Sequence, residues 1–151
     1  MQVIDRLKRL LPAASLVVVA VGPLAAAGCR SADAPAAPKV FFVQPENGAT
    51  MKSPVKLEFG IENYQLAAVP AGTVADARPG MGHHHVGVDT QCLPAGAEIP
   101  KASPWVHFGT GNSTIDMQLP PGRHTLTLQL GNDLHRTIEG LCTTIEVNVV
   151  E

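Results

Sequence analysis

Thr125-Leu126-Thr127-Leu128-Gln129-Leu130 alternates polar residues with leucines without a break, and Val55-Lys56-Leu57-Glu58-Phe59-Gly60-Ile61-Glu62 does the same with a wider choice of apolar residues. A period of two puts every second side chain on one face of an extended strand, whereas a helix would need apolar residues three and four positions apart. Working outward, Val40 to Gln44 reads as a first strand and Pro45-Glu46-Asn47-Gly48 as the turn that ends it. His83 to Asp89, Trp105 to Phe108, the face Ile115/Met117/Leu119 and the face Ile145/Val147/Val149 complete the set, with Pro120-Pro121-Gly122 as a further turn. Turn residues spaced roughly ten positions apart between short strands indicate an all-β sandwich. Tyr64 to Gly82 has no period and contains Pro70, Gly72, Pro79 and Gly80, so it is expected as a long surface loop of the kind that carries function.

The run Pro121-Gly122-Arg123-His124-Thr125-Leu126 resembles the corner before strand F of immunoglobulin-like sandwiches, where a glycine turn precedes an aromatic residue bonded back to the backbone. That resemblance implies an immunoglobulin-like antiparallel β-sandwich over residues 40–151, with His124 in the place of the tyrosine. By parity His124 shares a face with Leu126, Leu128 and Leu130, which makes it an interior, hydrogen-bonded histidine rather than a ligand.

Residues 1–28 read as an export signal: Arg6, Lys8 and Arg9 form a basic start, and Leu10 to Leu24 an apolar stretch interrupted by Pro12 and Pro23, too short and broken for a membrane span. Ala25-Ala26-Ala27-Gly28-Cys29 resembles a bacterial lipobox, with Ala26 where leucine is usual. Lipidation of Cys29 is the expectation, and ordinary cleavage before Gly28 the alternative. Residues 29–39 then form a flexible tether, small and Pro-containing, holding an exported domain to an envelope membrane on its periplasmic or outer face. The remaining chain carries 12 acidic and 8 basic residues, an excess that excludes a nucleic-acid-binding surface. Cys92 and Cys142 are left as an even pair in an oxidising compartment, so a disulfide is expected. Its loop of about 50 residues would stabilise the fold by roughly 4 kcal/mol. A thiolate metal site shared with the histidines is the competing reading.

The histidines carry the functional question. Gly82-His83-His84-His85 lies in one strand, and His107, His124 and His135 follow in separate segments. Alternation puts His83 and His85 on one face, about 7 Å apart, and His84 on the other with Val86 and Val88. Two imidazoles at that spacing can converge on one ion, with His107 and His135 as further ligand candidates, Met81 as one if the ion is Cu(I), and Asp89 as a hydrogen-bond partner behind a ligand. Copper or zinc suits such a donor set, with binding that weakens as pH falls through about 6. The plainer reading is that three adjacent histidines bond neighbouring carbonyls or sit in water.

Other motifs say less. Asn112-Ser113-Thr114 reads as a turn, Trp105 as a core anchor, and neither a phosphate loop nor a nucleophile elbow occurs. A hydrolase built on Asp89 and a histidine is a distant rival, and the chain is read as a non-enzyme.

The blocks Gly82-His83-His84-His85, Trp105-Val106-His107-Phe108-Gly109-Thr110-Gly111, Pro120-Pro121-Gly122-Arg123-His124-Thr125-Leu126 and Leu130-Gly131-Asn132-Asp133-Leu134-His135 together resemble a bacterial exported domain of unknown function, often met as a short lipoprotein. The resemblance spans about Val40 to Val149. It implies a small exported β-domain with a recurrent histidine set and no established activity. Many members continue past the position of His135 with a further histidine, where this chain reads Arg136-Thr137-Ile138-Glu139-Gly140-Leu141-Cys142. Two functions follow as expectations: an envelope-anchored domain binding copper or zinc through its histidines, or a structural or protein-interaction module with no metal.

Overall fold

A computed structural model describes residues 36–151; the export segment, Cys29 and most of the tether lie outside the described residues. Nine strands follow one another, with no helix among the described residues: β1 (Lys39–Gln44), β2 (Thr50–Lys52), β3 (Val55–Glu62), β4 (Gln65–Leu66), β5 (Met81–Val88), β6 (Trp105–His107), β7 (Thr114–Met117), β8 (Gly122–Gly131) and β9 (Thr137–Val150). A three-stranded sheet in the order β1-β3-β7 faces a larger one in the order β2-β9-β8-β5-β4, with β6 also paired to β5. The result is the expected all-β, immunoglobulin-like sandwich. Two short pairings depart from the antiparallel expectation: β2 runs parallel to β9, and β4 parallel to β5.

The alternating residues make the core. Val55, Leu57 and Phe59 from β3 meet Leu126, Leu128 and Leu130 from β8 and Ile145, Val147 and Val149 from β9, all buried in one cluster. β3 alternates strictly between buried and more exposed positions from Val55 to Phe59, as its sequence requires of a strand with one solvated face.

β5 and β8 behave differently. Every residue of β5 from Gly82 to Gly87 is buried, as are Leu126 to Gly131 of β8. β5 is hydrogen-bonded along both edges, to β8 on one side and to β4 and β6 on the other. Its inner face packs on the small sheet, where the ring of His84 lies edge-on to Phe59 with centroids 5.3 Å apart. Its outer face is roofed by the segment between β5 and β6. Thr127 donates to the Thr90 carbonyl at 2.6 Å, the Gln129 amide both accepts from the Leu93 N–H and donates to its carbonyl at 2.9 Å, and Thr137 donates to the Pro94 carbonyl at 2.6 Å. A Cys92–Cys142 disulfide fastens the same segment to β9, so the expected pairing is present and the thiolate alternative is not.

Several expectations need correction. The strand expected at His83 to Asp89 spans Met81–Val88, β1 begins at Lys39, one residue inside the expected tether, and the short β2 and β4 carry too few residues to show a period. Trp105 is buried, yet outside the inter-sheet cluster. It pairs with Gly87 and lies over it on the outer face, where a Cβ on Gly87 would come within 3.1 Å of the indole. The long segment after Tyr64 is not a free loop: Arg78 anchors it to Asp133.

Candidate metal centre

One row of residues crosses the outer face of the large sheet. His107 of β6 is paired with His85 of β5, His85 with Gln129 of β8, and Gln129 with Cys142 of β9. Two of the four histidines expected as ligands thus meet as cross-strand neighbours. His83 adds its ring from two residues earlier on the same face, as alternation predicts. His135 arrives from the turn after β8, in which the Asn132 side chain accepts the Leu134 and Arg136 N–H groups at 3.0 Å and the His135 N–H donates to the Asn132 carbonyl at 2.8 Å. His135 itself takes a left-handed φ of 59°, a conformation uncommon for a residue with a Cβ and one held here by its surroundings.

The four rings converge. One ligand nitrogen from each of His83, His85, His107 and His135 lies within 4.8 Å of all the others. His83 stands 4.6 Å from His85 and 4.9 Å from both His107 and His135, centroid to centroid. Nε2 of His107 and Nε2 of His135 are 2.9 Å apart, close enough for one N–H to donate to the other ring's bare nitrogen. Around a tetrahedral ion with nitrogen ligands, donor atoms sit roughly 3.4 Å apart. The set is compact enough that it could hold one ion.

Burial is graded across the cluster. His83 and His85 have no exposure, His135 has 5%, and His107 is exposed at the rim. Both ring nitrogens of His83 and both of His85 are buried without a hydrogen-bond partner in the protein. Burial first, then the repulsion a protonated ring would meet from protonated His107 and His135, pushes the His83 imidazole down to about 3; burial first, then the same repulsion from His83, His107 and His135, pushes His85 down to about 2. His107 and His135 are lowered as well, by burial and then by Lys101. All four are therefore neutral imidazoles at neutral pH, the form that coordinates a metal.

Asp89, expected behind a ligand, is elsewhere. The strand ends at Val88, Asp89 turns to a left-handed φ of 52°, and its carboxylate binds His124 Nδ1 at 3.0 Å and the Thr125 N–H at 3.0 Å. His124 also reaches back to the Pro120 carbonyl through Nε2 at 2.9 Å. This is the interior corner role the sequence indicates for it. Both of its partners are acceptors, so both ring nitrogens donate and the ring is an imidazolium. Burial opposes that charge, while the bonds to Asp89 and Pro120 outweigh burial and raise the His124 pKa above its ordinary value.

The carboxylate beside the cluster is Asp133. It is 3% exposed and gripped by Arg78, whose Nε and backbone N–H reach Oδ2 at 2.9 Å and whose Nη2 reaches Oδ1 at 2.8 Å. These contacts hold its pKa down to about 2. A cavity of about 240 Å³, lined by Val69, Val74, Glu98, Lys101, Asp133 and His135, opens from this side of the cluster. Asp133, Arg78, Asn132 and Gln129 are site residues that sequence reading missed. The one available signal was that Arg78 is the lone basic residue in the segment 63–80. Met81 lies on the same face as His83 and His85 by alternation, paired with Gln65.

Among curated proteins none matches the chain. A solved structure of the endo-beta-1,4-mannanase from Thermotoga petrophila is similar over 79% of this chain and 21% of that one, at 18% identity and a TM-score of 0.46; the chain spans about a fifth of that protein's length. A family model matches residues 57–150, which hold all four clustered histidines, and on that match the chain belongs to the family described as Domain of unknown function (DUF4399).

Proposed function

We propose that this domain binds a transition metal ion, copper or zinc, through His83, His85, His107 and His135. The observation that carries the reading is the pair of fully buried rings whose four nitrogens bond to nothing in the protein, set within 4.8 Å of two more imidazoles. Leaving a buried polar atom without a partner costs about 1–3 kcal/mol, so a fold that leaves the bare nitrogens of two neutral rings unpartnered gains when an ion takes up one lone pair from each. Donor chemistry agrees, since neutral imidazole suits copper and zinc. The reading extends to an exported domain tethered to an envelope membrane through a lipid on Cys29. The disulfide supports an oxidising compartment, and mass spectrometry of the mature N-terminus tests the lipid.

Metal analysis and calorimetric titration of protein purified without an affinity tag test the site. One equivalent of copper or zinc should bind, and replacing His83 and His85 together by Gln should abolish it while the disulfide and fold persist. Binding no tighter than about millimolar for either ion, roughly 4 kcal/mol, would remove the metal and leave an envelope interaction module as the function.

A further inference from the structure

Resting on that metal-site reading, we propose that the cluster selects monovalent copper over divalent ions, and that Arg78 enforces the choice by keeping the Asp133 carboxylate out of the coordination shell. The donor set is four imidazoles, and two of them have no solvent exposure. None brings a negative charge. The carboxylate best placed to supply one, Asp133, is buried two residues before the ligand His135. Both of its oxygens are spent on Arg78, which gives it three N–H donors at 2.8 to 2.9 Å. A carboxylate held by a guanidinium fork is neutralised as well as immobilised. In the cavity beside His135, the exposed Glu98 and Lys101 offset one another. An ion entering this site therefore keeps its whole charge against two fully buried rings, with solvent only on the His107 side.

The cost of burying charge grows with its square, so a dication pays about four times what a monocation pays in the same surroundings. Divalent sites ordinarily meet that cost with thiolate or carboxylate ligands, or with carboxylates bonded to the ligand imidazoles. Here the acid that could do either is withheld. Monovalent copper is the common imidazole-binding ion that avoids the larger penalty.

The test compares affinities in untagged full-length protein under anaerobic conditions, with chromophoric chelators competing for Cu(I) and for Zn(II) in separate titrations. Cu(I) should bind at least about 100-fold tighter than Zn(II), and tighter than Cu(II), so that bound copper resists oxidation. Arg78→Met frees Asp133 and should raise Zn(II) affinity relative to Cu(I) by about tenfold or more. Adding Asp133→Asn should restore the original ratio, which separates charge from any loosening of the loop. Zn(II) binding as tight as Cu(I) in the unmodified protein would overturn the selectivity while leaving the metal site intact. An Arg78→Met ratio equal to the parent's would overturn the part assigned to Arg78. Failure of every ion to bind would strike the metal reading itself.

Discussion

A Cβ placed on Gly131 would stand 2.7 Å from Cε1 of His85 and 3.1 Å from its Nδ1, so the glycine at the end of β8 is the space in which the His85 ring sits. Gly131 is the cross-strand partner of His83, and its own φ is not in the left-handed region, so room rather than backbone freedom explains the residue here. Gly131→Ala should therefore push the His85 ring or Ile99 Cδ1, which is also 3.1 Å away. The expected cost is about 1–3 kcal/mol of stability from overpacking, together with a loss of metal affinity of about tenfold or more as the ring leaves its place. Thermal unfolding without metal and titration with it measure the two separately.

The pH dependence of the metal-free protein has a sign fixed by the buried pair. His83 and His85 have folded pKa values depressed to about 3 and about 2, whereas in the unfolded chain they titrate near 6.5. Below pH 6.5 the unfolded state takes up protons that the folded state refuses, so stability falls progressively as pH drops from about 6.5 toward about 3. Replacing both residues by Gln should flatten this slope in denaturant titrations at stepped pH. The same burial should move proton competition at the proposed metal site below the pH of about 6 expected for ordinary histidines. A slope that survives the double replacement unchanged would place its origin elsewhere.

His124 works in the opposite direction. Its folded pKa is raised by Asp89 and the Pro120 carbonyl, against burial, so its contribution is fully present below about 6.5 and is lost as pH rises through the folded value. His124→Ala should cost about 1–3 kcal/mol through the two lost bonds, with the larger effect at pH 5 than at pH 8. Metal affinity should be unchanged, because His124 and Asp89 form a separate pair beyond the end of β5.

The alternation in Val55–Ile61 and Thr125–Leu130 was enough to read the sandwich, because each of those strands has one face against the core and the hydrophobic requirement writes itself at every second position. The same parity correctly joined His83 to His85 and separated His84. It failed at Asp89, where the strand stops and a left-handed residue turns the carboxylate off the face; periodicity carries no signal for where a strand ends. It also could not show that the outer face of β5 is roofed, since that burial comes from loop backbone held by Gln129, Thr127 and Thr137. Arg78 and Asp133 lie 55 residues apart in two segments without period, and nothing local marks them as partners.

That roof is fastened twice at one point, by the disulfide and by the Gln129 amide on Leu93. Replacing Cys92 and Cys142 by Ser together should lower stability by about 2–5 kcal/mol. Hydrogen exchange should speed up first at the Gly96 and Ile99 amides, which bond to Thr137 and His135. Uniform acceleration over the whole chain, with no early opening of this segment, would show that the disulfide acts only through global stability.

The strained member of the histidine cluster offers the most direct probe of preorganisation. His135 holds φ at 59°, a conformation that costs a non-glycine residue about 1–3 kcal/mol, and the turn that imposes it is closed by the Asn132 side chain on the Leu134 and Arg136 N–H groups. The Ile99 N–H, at 2.8 Å from the His135 carbonyl, completes the restraint from the roof. Asn132→Ala removes two of these bonds without touching any ring. The His135 backbone can then relax, and the imidazole must be returned to the cluster each time an ion binds. Affinity should fall by about 5- to 30-fold, corresponding to roughly 1–2 kcal/mol of reordering, with little change in the global unfolding midpoint. Asn132→Asp keeps an acceptor oxygen in the same place and should retain most of the affinity, so equal losses in the two variants would show that the turn does not set the position of His135.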